Sequence, residues 1–119
     1  MDDSILDTIK KMLGITSEDT SFDTDIIVFI NAAFMTLKQL GVGPTEGFSI
    51  TDLNSIWSDF TDNEAMLGTI QNYIYMKVRI VFDSSSLSSS VLSAMQQSIR
   101  EFEWRMNVEV DPSYEENEE

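Results

Sequence analysis

Apolar residues recur along this chain at steps of three and four, the signature of helices that bury one face. Ile5, Ile9 and Met12, with Leu6 and Leu13 beside them, predict a short amphipathic helix over Asp2 to Leu13. Gly14 follows where a left-handed C-terminal cap belongs. Ile15 to Ser21 is polar and acidic and reads as a loop. A second helix starts at Asp23, read as its N-cap, with Phe22 placed to pack on Ile27 as a hydrophobic staple. Ile26, Ile30, Ala33, Leu37 and Leu40 mark its buried stripe, which Ile27 and Phe34 widen. Gly41 ends it, and Val42-Gly43-Pro44 blocks its continuation.

Thr45 to Ile50 reads as a loop, and Asp52 to Phe60 predicts one or two helical turns carrying Leu53, Ile56, Trp57 and Phe60. Thr61 and Glu64 match a capping box, after which Leu67, Ile70, Ile74, Val78 and Val81 carry a helix toward Phe82. Tyr73 to Phe82 is rich in β-branched and aromatic residues, so a strand competes locally. The capping box and the length of the periodic pattern favour the helix. Ser84 to Ser90 is serine except for Leu87: a linker, or a segment in which Ser88 or a neighbour caps the next helix. There Leu92, Met95, Ile99, Phe102 and Met106 form a heptad-like seam suited to packing along another helix. Asn107 to Asp111 alternates apolar and polar residues, a strand-like pattern before Pro112. The expected fold is all-α: a small bundle of three longer helices plus one or two short ones, with an extended C-terminal segment. One domain is expected over residues 1–111, followed by an acidic, disordered tail over 112–119. No internal repeat is visible.

Charge changes the picture more than composition does. The 119 residues include 21 acids and 7 bases, giving a formal net charge of −14. Such a chain repels nucleic acid unless its bases cluster, and they are scattered apart from Lys10-Lys11 and the Lys77, Arg79 pair. No apolar run reaches the ~20 residues needed to span a bilayer. The acidic start, Met1-Asp2-Asp3, lacks the basic region of a signal peptide, so a soluble, cytoplasmic protein is expected.

Candidate chemistry is thin. The chain has no histidine and no cysteine, which removes Ser–His and Cys–His nucleophile pairs, thiolate metal sites and disulfides. No glycine loop fits a phosphate, and Asp19, Asp23 and Asp25 lack the further oxygen ligands and spacing of a calcium loop. A glycosidase-like carboxylate pair has no aromatic cluster to hold sugar. The expectation is therefore no enzyme, with no catalytic, metal or cofactor residue. Trp57 and Trp104 stand out; each reads first as core, but Trp104 lies off the Leu92–Met106 seam and suits an interface. Trp104, Val108 and Val110 are accordingly the candidate partner-docking residues, the two valines by adding a strand to a partner's edge.

Several stretches, in order, resemble the phage head–tail connector family. These are Leu13-Gly14-Ile15, the acidic Glu18 to Asp23, Ile30-Asn31-Ala32-Ala33 and Leu37-Lys38-Gln39-Leu40-Gly41-Val42-Gly43-Pro44. Tyr73 to Arg79, Phe82-Asp83 and Glu103-Trp104-Arg105-Met106-Asn107 continue the likeness, which covers residues 3 to 110. Ser84 and its neighbours depart from it, standing where related chains often have proline. The resemblance implies an all-helical subunit of a closed ring of roughly a dozen copies. It implies a place at the virion head–tail junction, beneath the portal protein, where the ring extends the DNA channel and receives the next connector or tail protein. It carries no catalytic residues. An acidic wall fits a conduit through which DNA passes without binding. Two alternatives stay open: a helical adaptor that binds one protein partner through the Leu92–Met106 seam, and a DNA mimic. The mimic would spread its acids over one face, whereas Glu101, Glu103, Glu109, Asp111, Glu115, Glu116, Glu118 and Glu119 are eight of the 21.

Overall fold

The periodic stripes fold as helices, and one helix serves the others as a common wall. The computed structural model describes residues 1–110. Among them are α1 (Ile5–Met12), α2 (Asp23–Gln39), α3 (Trp57–Phe60), α4 (Glu64–Phe82) and α5 (Ser89–Val110), with a short 3₁₀ turn at Ser84–Ser86. This is the expected all-α bundle of three longer helices and two short ones. α4 packs on α2, on α1 and on α5. The α2 stripe is buried as predicted at Ile26, Ile30, Ala33, Phe34 and Leu37, and α4 answers with Ile70, Tyr73, Ile74 and Val78.

Two of the recurring glycine motifs are helix terminators. Gly14 and Gly41 take φ of 82° and 83°, the left-handed region open to glycine. Ile15 N–H donates to Lys10 O at 2.9 Å and Val42 N–H to Leu37 O at 2.8 Å, each reaching back over a full turn as in a Schellman cap. Val42 is then buried beside the core. Gly43, at φ 91°, is required twice over, because a Cβ there would drive into the Phe60 ring. That ring lies 4.8 Å from Phe34 and 5.4 Å from Phe48, which closes the loop over α2.

Two hydrogen-bonded seams replace a sheet. Asn31 Nδ2 donates to Ile50 O at 2.9 Å, and Ile50 N–H donates to Asn31 Oδ1 at 2.8 Å, so one amide side chain pins the loop as a neighbouring strand would. The N-terminal residues run antiparallel to 55–58: Ile5 N–H donates to Ser55 O at 3.0 Å and Ser58 N–H to Met1 O at 3.0 Å. Fully buried Trp57 locks this seam, its indole N–H donating to Thr8 Oγ1 at 3.0 Å.

Several local expectations are corrected. Asp23 is not a cap: Phe22 occupies that position without a side-chain bond, and Asp23 pairs with Lys10 Nζ at 2.9 Å. Phe22 packs edge-on against Phe82, 5.3 Å away, rather than acting only as a local staple. α4 is capped by Asn63, whose Oδ1 accepts from Met66 N–H at 3.3 Å, two residues after the predicted Thr61. The helical turns expected from Asp52 shrink to α3, because Asp52 Oδ1 accepts from Asn54 N–H at 2.8 Å and turns the chain there. The serine run is fastened rather than a free linker. Arg79 Nη2 donates to Ser86 Oγ at 3.1 Å, Ser86 Oγ donates to Asp83 Oδ2 at 3.0 Å, and Ser88 Oγ caps α5 by accepting from Val91 N–H at 3.2 Å. The extended C-terminal segment is also corrected. Asn107 to Val110 continues α5, since each added helical residue gains a backbone bond while a lone strand gains none. Asp111 and the expected boundary and tail beyond it lie outside the described residues.

Candidate functional site

The carboxylates that invited a calcium reading go separate ways. Asp19 accepts from Ser21, by hydroxyl and by backbone N–H at 3.1 Å, and these bonds hold its carboxyl below the usual range. Asp23 is committed to Lys10, and Asp25 faces solvent. Among the described residues no three potential metal-binding side chains come together. No helix among them is long and apolar enough to cross a membrane.

The joint between α4 and α5 holds the clearest polar cluster. Tyr73 stacks on Phe102, with ring centroids 4.3 Å apart, and donates its hydroxyl to Glu103 Oε2 at 2.7 Å. Lys77 Nζ stands 3.9 Å from the same oxygen. Burial, then the Glu103 carboxylate, push the Tyr73 phenol well above its ordinary 10.0. The folded chain therefore keeps a proton that the unfolded chain gives up near pH 10, so the stability this contributes is present below that pH and fades above it. Tyr73→Phe should flatten the alkaline fall. Urea titrations at pH 9 and 11 should show wild type losing about 1 kcal/mol more than the variant, a group ionised only when unfolded costing ~1.4 kcal/mol per pH unit. Equal losses would mean Tyr73 ionises freely in the fold.

This cluster positions α5 so that its opposite side is open. Ile99, Phe102 and Met106 are buried against the bundle, with Leu92 and Met95 half-buried on the same stripe. Gln97, Arg100, Glu101, Trp104 and Arg105 line the outward face. Trp104 is 52% exposed there, while Trp57 is core. Of the three predicted docking residues, Trp104 thus lies on a free helical face. The side chains of Val108 and Val110 lie outside the described residues, and their backbone is helical rather than a strand.

Other open apolar groups went unrecognised in the sequence. Val28 and Met35, seven residues apart on α2, are more than half exposed, as is Val81, and Leu53 is 50% exposed. Val81 falls in the periodic stripe of α4 because periodicity locates a face without telling where that face ends, and Leu53 reads as part of a helical turn that the structure does not form. Val28 and Met35 could have been flagged by their place opposite the Ile26–Leu37 stripe.

A family model described as "Phage connector protein" matches residues 5–113. No curated protein and no solved structure matches the chain.

Proposed function

Because this chain belongs to the phage connector protein family, we propose that it closes into a ring beneath the portal of a phage or prophage head. The ring extends the DNA channel and offers a platform to the next connector or tail protein. A structural connector role, with other head and tail proteins as partners, is what membership itself carries; the ring, the portal contact and the conduit are the finer reading. The observation that supports it best is a family match over nearly the whole described chain, joined to a surface that offers an exposed aromatic helix face.

The net charge of −14 suits a conduit. DNA binding draws on released counterions, and seven bases, of which Lys10 is buried in an ion pair, cannot supply many such contacts. No measurable affinity for duplex DNA is expected at physiological salt by fluorescence anisotropy, and micromolar binding would remove the non-stick conduit. The assembly itself is tested by omission. Heads produced without this protein should package DNA yet fail to accept tails, and adding the purified chain should restore joining. Normal tail attachment in its absence would end the connector reading.

A further inference from the structure

On the ring reading above, we propose that neighbouring copies meet head to tail, the Trp104 face of α5 seating on the Leu53 edge of the next copy. Charge is divided unevenly along the fold. Residues 1–66 hold 12 acids and three bases, whereas residues 67–107, which cover α4 after its first turn and most of α5, hold three acids and four bases. Between Lys38 and Lys77 there is no base at all. Within α5 Glu103 is engaged by Tyr73, and the outward face carries the two guanidinium groups of Arg100 and Arg105 against the single carboxylate of Glu101. Trp104 stands between Arg100 and Arg105 on the outward face, where Glu101 is engaged by Gln97 Nε2 at 3.3 Å.

The Leu53 edge has the complementary chemistry. The antiparallel seam between the N-terminal residues and 55–58 brings Asp2 and Asp3 alongside the segment that carries Asp52 and Asp59. All four residues are exposed, as is Leu53 next to Asp52, at 50%. Asp52 and Asp59 also accept locally, from Asn54 N–H at 2.8 Å and Ile56 N–H at 3.0 Å, which leaves their charge in place. In the proposed contact an aromatic flanked by guanidinium groups meets an aliphatic group on an acidic edge. The two surfaces come from different elements and are unlike one another. Unlike surfaces give head-to-tail contacts, which close into rings when the rotation between copies permits, whereas a self-matching surface stops at a two-fold dimer. The overall repulsion between copies acts at longer range and is mostly screened beyond ~8 Å at physiological salt, leaving the contact pairs.

The absence of native cysteine makes the contact readable. Asn54→Cys and Gln97→Cys change exposed positions beside the two anchors and leave Leu53 and Trp104 in place, so the doubly substituted full-length chain should fold, as circular dichroism can verify. Treated with a short bismaleimide, both concentrated in solution and in connector-bearing heads, it should give a ladder rising one copy at a time. Arg100→Glu/Arg105→Glu in the same chain should cut the ladder by roughly tenfold or more, and adding Asp2→Lys/Asp3→Lys should restore it. Dimers from Gln97→Cys alone, cross-links from Gln97→Cys to the portal, or no ladder in either setting would each overturn this contact. Ring images of the same heads judge the parent reading separately: rings without the ladder refute only the contact, and heads without rings refute both.

Discussion

Replacing Asp23 with alanine is expected to cost about 3–5 kcal/mol of folding free energy, because it strands a buried cation. Lys10 is 1% exposed, and its ammonium is met by Asp23 Oδ1 at 2.9 Å and by the Ser17 carbonyl at 3.3 Å. The carbonyl can share a proton of the ammonium but cannot balance its charge. The reverse change should be far milder. Lys10→Met keeps an unbranched stem in the same space, and the Asp23 side chain, 21% exposed, can turn to water. Urea unfolding of the two variants should therefore differ by several kilocalories (a buried-pair scale). Equal losses would show that the pair is solvated as a surface contact. The pair also decides local geometry: it draws the start of α2 against α1, which is why Asp23 is unavailable as a cap.

Trp57→Ala should lose about 3–5 kcal/mol, the cost of emptying a fully buried indole site. The residue closes the seam between the N-terminal strand-like residues and α3, with its N–H on Thr8 Oγ1. Trp57→Phe separates shape from bonding, since it retains much of the packing and removes only the bond that Thr8 Oγ1 accepts, while that hydroxyl keeps its own donation to Ser4 O at 2.7 Å. A loss near 1 kcal/mol for phenylalanine is the expected contrast. Chemical denaturation followed by circular dichroism measures both. If alanine is as mild as phenylalanine, the surrounding loops collapse into the site and the seam is not the lock described above.

Helix identity and core register were legible because they depend on near neighbours. Ile26, Ile30, Ala33 and Leu37 are spaced by the helix itself, and the burial of each followed from that spacing. The terminators Gly14 and Gly41 were equally local, since both the left-handed residue and its hydrogen bonds lie within six positions. What failed depends on distant partners. Asp23 looks like a cap until Lys10 arrives from α1, and Phe22 like a local staple until Phe82 arrives from the end of α4. Asn31 carried no visible role in sequence, because its two bonds to Ile50 cross 19 positions. The alternation of Val108, Glu109 and Val110 is too short to distinguish a strand from a continuing helix when no edge is present to receive it. For the candidate site, Trp104 was separable from the seam by phase alone. Leu53 was not, since its exposure comes from a turn at Asp52 that cut short the expected helix.

α5 is fastened chiefly to α4 alone, through Ile99, Phe102, Met106 and the Tyr73–Glu103 bond. Among the described residues α5 has one main neighbour, so its release breaks fewer contacts than that of α2 or α4, and native fluctuations should concentrate there. Each such release uncovers the buried seam of α5 and the matching flank of α4, the most adhesive surfaces in the molecule. A partner that grips the outward face of α5 binds only the closed form, and so it suppresses that opening by mass action. Incorporation into an assembly would then do more than place the subunit: it would hold closed the apolar surfaces that each opening uncovers.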